Sequence, residues 1–127
     1  MDKLLLVGLG GGAGAMLRYL TGVAAHRALG GGWPWGTLAV NVIGGLAMGL
    51  LVDALALRAG EGQEQLRLLL GVGLLGGFTT FSAFSLELGL MLRRQELGEA
   101  AAYALGSVVL SVAALFIGMA VARRLFA

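Results

Sequence analysis

From Gly76 to Ser85 the chain reads GGFTTFSAFS, setting two glycines, four hydroxyls and three phenylalanines in the middle of an apolar stretch. Phe81 and Phe84 stand three residues apart, as do Ser82 and Ser85, so each pair shares a face if the segment is helical. Further on, Tyr103, Ser107 and Ser111 recur every fourth residue and form a stripe of hydroxyls. Asn41, Arg18, Asp53 and Glu87 complete the polar inventory of the apolar stretches together with Thr79 and Thr80. Polarity at membrane depth is costly unless it lines a cavity or faces protein. If Gly76 to Thr80 is non-helical, its freed carbonyls and N–H groups join the supply. The result is a lining rich in hydrogen-bond donors and phenyl edges, with almost no fixed charge. Hydroxyls and amides donate protons and a phenyl ring is positive at its rim, which suits a small anion. A pore lined by lysine would hold the anion too firmly, because conduction needs attraction weak enough to allow release. The same lining would serve water or a small alcohol, so these residues alone leave the permeant open.

Positioning such groups requires membrane helices. The chain has 127 residues, 58% hydrophobic and 13% charged, and a mean hydropathy of +0.90. A soluble domain carries roughly 25% charged residues. The apolar stretches predict helices over 4–23, 36–57, 66–92 and 100–121, near or above the roughly 20 residues that cross a bilayer. They use up nearly the whole chain, so residues 1–127 are expected to form a single four-helix transmembrane domain, all-α and without a soluble unit. Met1-Asp2-Lys3 is too weakly charged for a signal-peptide start, and a retained first helix is expected. Trp33-Pro34-Trp35 suits the membrane interface and the start of the second helix.

Four spans put both termini on one side. That face receives Lys3, Arg58, Arg67, Arg123 and Arg124, and the opposite face receives Arg18, Arg27, Arg93 and Arg94. Orientation follows the asymmetry of such charges, and five against four orients almost nothing. The near-balance predicts insertion both ways and pairing of opposite copies, the inverted-repeat architecture that larger transporters build within one chain. Gly8 and Gly12, Gly10 and Gly14, and Gly45 and Gly49 are small-xxx-small pairs that allow close helix approach.

Several function classes fall away. The chain has no cysteine, which removes disulfides, thiolate metal sites and cysteine nucleophiles. Its one histidine, His26, falls in an expected loop over 26–32. Basic residues scattered over the loops make no patch for nucleic acid. Lys3 to Ala13, KLLLVGLGGGA, imitates a strand entering a dinucleotide fingerprint, but the acidic residue needed about 20 positions on is absent. With no nucleophile–base pair or metal cluster, the chain does not read as an enzyme. Individual polar residues also have plain readings. Arg18 snorkels or pairs with a helix-end carbonyl or carboxylate, Asn41 makes an interhelical hydrogen bond, Asp53 reaches the interface, and Ser107 and Ser111 bond back to their own helix.

The motifs GGAGAMLRY (11–19), GTLAVNVIGG (36–45) and GGFTTFSAFSLE (76–87) resemble those of the Fluc (CrcB) fluoride channels over nearly the full length. The resemblance implies a multi-pass protein of the cell (inner) membrane, with its third helix broken mid-membrane, assembled as an antiparallel dual-topology homodimer with two pores. It implies passive export of fluoride down its electrochemical gradient, which protects the cell from fluoride toxicity. Phe81 and Phe84 would contact the ion through their ring edges, and Asn41 would line the pore as a donor. Ser82, Glu87, Tyr103, Ser107 and Ser111 would belong to the polar track. The backbone carbonyls of Gly76 and Thr79 would hold a structural sodium ion (Na+) at the dimer interface. Arg18 matches the arginine of the first helix. The chain departs from the pattern at Ala83, where threonine is usual. Two other readings stand beside it: a small dual-topology proton-coupled exporter, and a structural subunit of a membrane complex. The first needs a carboxylate near the midplane, whereas Glu87 lies nine residues from Phe78, about 13 Å along a helix.

Overall fold

In hydrocarbon the backbone has no water to bond, so an apolar chain satisfies its own N–H and C=O groups as helix. The computed structural model describes residues 2–57, 60 and 62–126; Arg58, one of the five cationic residues assigned to the face of the termini, lies outside them. Helix α1 spans Lys3–Leu29 and α2 spans Trp35–Leu57. The next, α3, covers 63–78 and contains a run of wide π-type turns over Arg67–Leu75. Thr79 and Thr80 are extended, and α4 follows over Phe81–Arg93. Helix α5 covers Leu97–Phe126. Among the described residues, four helical stretches are long and apolar enough to cross a membrane: α1, α2, Gln63–Arg93 and α5.

The helices overrun their expected ends for local reasons. Helix α1 starts where the Asp2 carboxylate accepts the Leu4 N–H at 3.2 Å. It stops not at 23 but at Leu29, because Gly30 at φ 81° turns its N–H back onto the His26 carbonyl. His26 and Arg27 therefore occupy the last helical turn, where cations suit the negative end of the dipole, and not a loop. Helix α5 begins before 100 and continues beyond 121 through Arg123 and Arg124 for the same electrostatic reason. The third stretch begins at Gln63, not 66, after Gly62 at φ 85°.

Glycines decide which helices touch. A Cβ on Gly49 would run into the Leu115 carbonyl oxygen, and one on Gly118 into that of Leu46, so α2 and α5 meet backbone to backbone. Gly10 and Gly14 bring α1 equally close to the backbone of α3 at Leu69 and Leu74. Gly8 and Gly12 meet nothing within 4 Å, so that pair does not pack inside the protomer. A small core of Phe84, Met91, Ala100 and Tyr103 joins α4 to α5, with Trp33, Leu38, Leu88 and Ala104 packed against it. Asp53 is buried and accepts from Arg123 Nε at 2.7 Å.

Gly118→Ala should lower the midpoint of thermal unfolding in detergent, because overpacking a close helix contact costs about 1–3 kcal/mol. Gly106→Ala, with nothing within 4 Å of its Cβ position, should leave it unchanged or raise it. Equal midpoints for both variants would contradict this packing.

Candidate functional site: a donor-lined groove at the α3–α4 junction

Two extended residues inside an apolar span expose backbone that must find partners. Asn41 of α2 supplies them twice over. Its Oδ1 accepts the Thr80 N–H at 2.8 Å, and its Nδ2 donates to the Thr80 carbonyl at 3.0 Å. The Thr80 hydroxyl caps α4 by accepting the Ala83 N–H at 3.1 Å, and it lies 3.2 Å from Ser82 Oγ. The Thr79 hydroxyl donates back to the Leu75 carbonyl at 2.9 Å. From the other side, Arg18 Nε donates to the Gly77 carbonyl at 3.1 Å. Of the readings open for Arg18, the helix-end carbonyl is the one observed.

This bonding has a consequence for two carbonyls. In an unbroken helix the Gly76 carbonyl would accept from Thr80, and the Thr79 carbonyl from Ala83. Both of those N–H groups are committed to side chains, Asn41 Oδ1 and Thr80 Oγ1 respectively. Gly76 and Thr79 thus present carbonyl oxygens relieved of their helical partners, a donor set of the hard oxygen type that suits an alkali cation.

Beside the junction lies a groove of about 310 Å³ lined by Asn41, Thr79, Thr80, Phe81, Phe84, Ser107, Val108, Ser111 and Val112. The Phe81 and Phe84 ring centroids are 5.5 Å apart, yet Phe84 is 8% exposed and Phe81 78%. Ser107 and Ser111 enter from α5. Neither hydroxyl bonds back to its helix, and neither has a hydrogen-bond partner among the described residues, although both oxygens are buried. Among the described residues, no charged side chain lines the groove.

Glu87 and Tyr103 lie one step away. Tyr103 Oη donates to Glu87 Oε1 at 2.9 Å, and Thr37 Oγ1 donates to Oε2 at 2.9 Å. Glu87 also lines a second cavity of about 310 Å³, shared with His26, Trp33, Thr37 and Arg94. Ser82 stands apart: it is exposed, bonded to Thr80, and not in the groove. Ala83 faces a third cavity with Arg18, Thr37 and Thr80. Sequence reasoning missed Thr37 and the capping role of Thr80. The signal for Thr37 was its place four residues before Asn41, on the same face of α2.

The chain matches the family described as CrcB-like protein, Camphor Resistance (CrcB), over residues 5–119. It is 65% identical to a protein of Phenylobacterium zucineum named fluoride-specific ion channel FluC, over 127 residues and 100% of both chains. Proteins of the same name from Hyphomonas neptunium and Caulobacter vibrioides are 57% and 54% identical, again over 100% of both chains.

The bonded and unbonded groups separate on stability. Asn41→Ala strands the Thr80 N–H and carbonyl and should lower unfolding free energy by about 1–3 kcal/mol. Ser107→Ala and Ser111→Ala remove hydroxyls without a hydrogen-bond partner among the described residues and should leave stability unchanged or slightly higher. Thermal unfolding of the three variants in detergent checks the contrast, and a loss in the serine variants equal to that of Asn41→Ala would refute it.

Proposed function

The chain belongs to the CrcB-like family, and on that premise we propose that it is a fluoride-selective channel through which the ion leaves the cell passively, protecting it from fluoride toxicity. The observation that carries this reading is the pair of buried, unpartnered hydroxyls of Ser107 and Ser111 in a groove with Asn41, Phe81 and Phe84. A buried unpaired polar group costs about 1–3 kcal/mol. Their donors are therefore available to a small acceptor in the groove. Fluoride accepts strongly from hydroxyl and amide donors, and phenyl rims add weak positive edges. The absence of a cationic side chain from this groove lets the ion leave. A larger halide gains less from each donor and fits the narrow path worse, which is the basis of selectivity.

Passive flow suffices for export. Fluoride enters acidified cells as neutral HF and ionises inside. A unit charge crossing 100 mV gains about 2.3 kcal/mol, which holds the internal anion roughly fifty-fold below the external. No coupled ion is needed.

The assembly we infer is an antiparallel homodimer in the inner membrane, with the α3–α4 junction near the bilayer midplane. Support comes from the near-even charge count and from Phe81, 78% exposed on the open side of the groove, where a second copy would supply the missing wall. The carbonyls of Gly76 and Thr79 would hold a sodium ion between the copies, supplying a fixed positive charge that ties the two junctions together. Asn41 and Arg18 hold the protein's side of that arrangement by fixing the backbone around it.

The exporter reading fares worse. Its proton carrier would be Glu87, whose two oxygens already accept from Tyr103 and Thr37. A structural subunit has no use for the unpaired hydroxyls.

Proteoliposomes loaded with potassium fluoride decide among these. Fluoride efflux should be slow until valinomycin relieves the charge build-up, and chloride efflux should stay small. Phe81→Ile and Phe84→Ile should each abolish most of the flux. Ser107→Ala should reduce it at least about fivefold, since one good donor is worth about 1 kcal/mol or more. Wild-type vesicles that retain fluoride after the ionophore is added would end the channel reading; efflux that needs no ionophore would favour the exporter.

A further inference from the structure

Trp33 lies in the connection between α1 and α2, where sequence alone gives it the work of an interfacial anchor. Its ring does something more specific. It meets Tyr103 edge-on, with centroids 5.1 Å apart and planes at 76°. The Phe84 ring also packs on Tyr103, at 5.1 Å between centroids and tilted by 46°. Tyr103 is thereby sealed, with 0% exposure. The Trp35 ring is tilted at 50° to that of Trp33, with centroids 4.8 Å apart, and Trp35 is itself 39% exposed.

The Tyr103 hydroxyl donates to Oε1 of Glu87, and Thr37 donates to Oε2. Both carboxylate oxygens are thus pinned on the wall of the cavity that Trp33 and Glu87 share. A carboxylate is the wrong charge to leave free beside an anion path, because a loose one can swing into the cavity and repel the ion. Tyr103 restrains it only while its ring keeps this tilt, and the ring is clamped by Trp33 and Phe84. Phe84 belongs to the groove already described, whereas Trp33 does not line it.

We infer that Trp33 is a positioning residue of the conduction path, holding the Tyr103 ring so that its hydroxyl keeps the Glu87 carboxylate against the wall. The inference rests on the channel reading. It makes Trp33 and Trp35 unequal although they are neighbours in sequence and in space: Trp33 sets the geometry of the path, and Trp35 anchors the loop.

The test is fluoride efflux with valinomycin, normalised to reconstituted protein. Trp33→Ala should slow efflux about two- to tenfold, the range that the worth of an aromatic pair converts to. Trp33→Phe, which keeps a ring edge for Tyr103, should retain most of the rate, and Trp35→Ala should change it little. In a Tyr103→Phe or Glu87→Gln background the Trp33→Ala change should cost nothing further, since the hydroxyl or the charge it acts through is gone. Trp33→Leu keeps bulk without an edge and carries the same comparison if the alanine variant does not reconstitute. A loss that persists in either background, or an equal loss in Trp35→Ala, overturns the inference while leaving the channel intact. A wild-type protein that passes no fluoride overturns both.

Discussion

The structure depends on one constraint: backbone opened inside a long apolar helical stretch must have its exposed groups satisfied by protein. Thr79 and Thr80 open it. Asn41 closes the gap on one side with an amide that mimics a paired backbone, giving one bond and taking one from Thr80. Arg18 closes it on the other through the Gly77 carbonyl. Helices α1 and α2 are thereby tied to the opening by side-chain bonds of known geometry, which fix the junction in place.

That rigidity gives meaning to the groups left unbonded. Ser107 and Ser111 have buried hydroxyls with no partner among the described residues. Their neighbours show that this is no general looseness: Thr21, Thr37, Thr79, Thr80 and Tyr103 all hold hydrogen bonds. The charges follow the same division. Glu87 is held by two hydroxyls and Asp53 by Arg123, while the groove itself is lined by neutral side chains. A donor-rich, uncharged lining attracts an anion without trapping it.

Glycine makes this possible in so short a chain. Close approach of α2 to α5 sets Ser111 beside Gly45, whose Cβ would collide with the Ser111 carbonyl oxygen. The same intimacy between α1 and α3 brings Arg18 within reach of Gly77. With bulkier residues at these crossings the helices would still span, but the polar groups would stand apart.

Much of this was legible in the residues. Length and hydropathy fix four spans, because a bilayer demands about 20 apolar residues from each. The fourfold recurrence of Tyr103, Ser107 and Ser111 places them on one face whatever the neighbours, and the near-balance of basic residues is a property of composition alone. Pairing was not legible. Nothing local says that Asn41 turns its amide to Thr80, that Arg18 finds Gly77, that Ser82 leaves the groove for the Thr80 hydroxyl, or that Trp33 lies across Tyr103. Helix lengths and faces follow from short-range periodicity and transfer energies. Which polar group meets which is decided by the crossing of helices tens of residues apart in sequence, and only the tertiary structure fixes that.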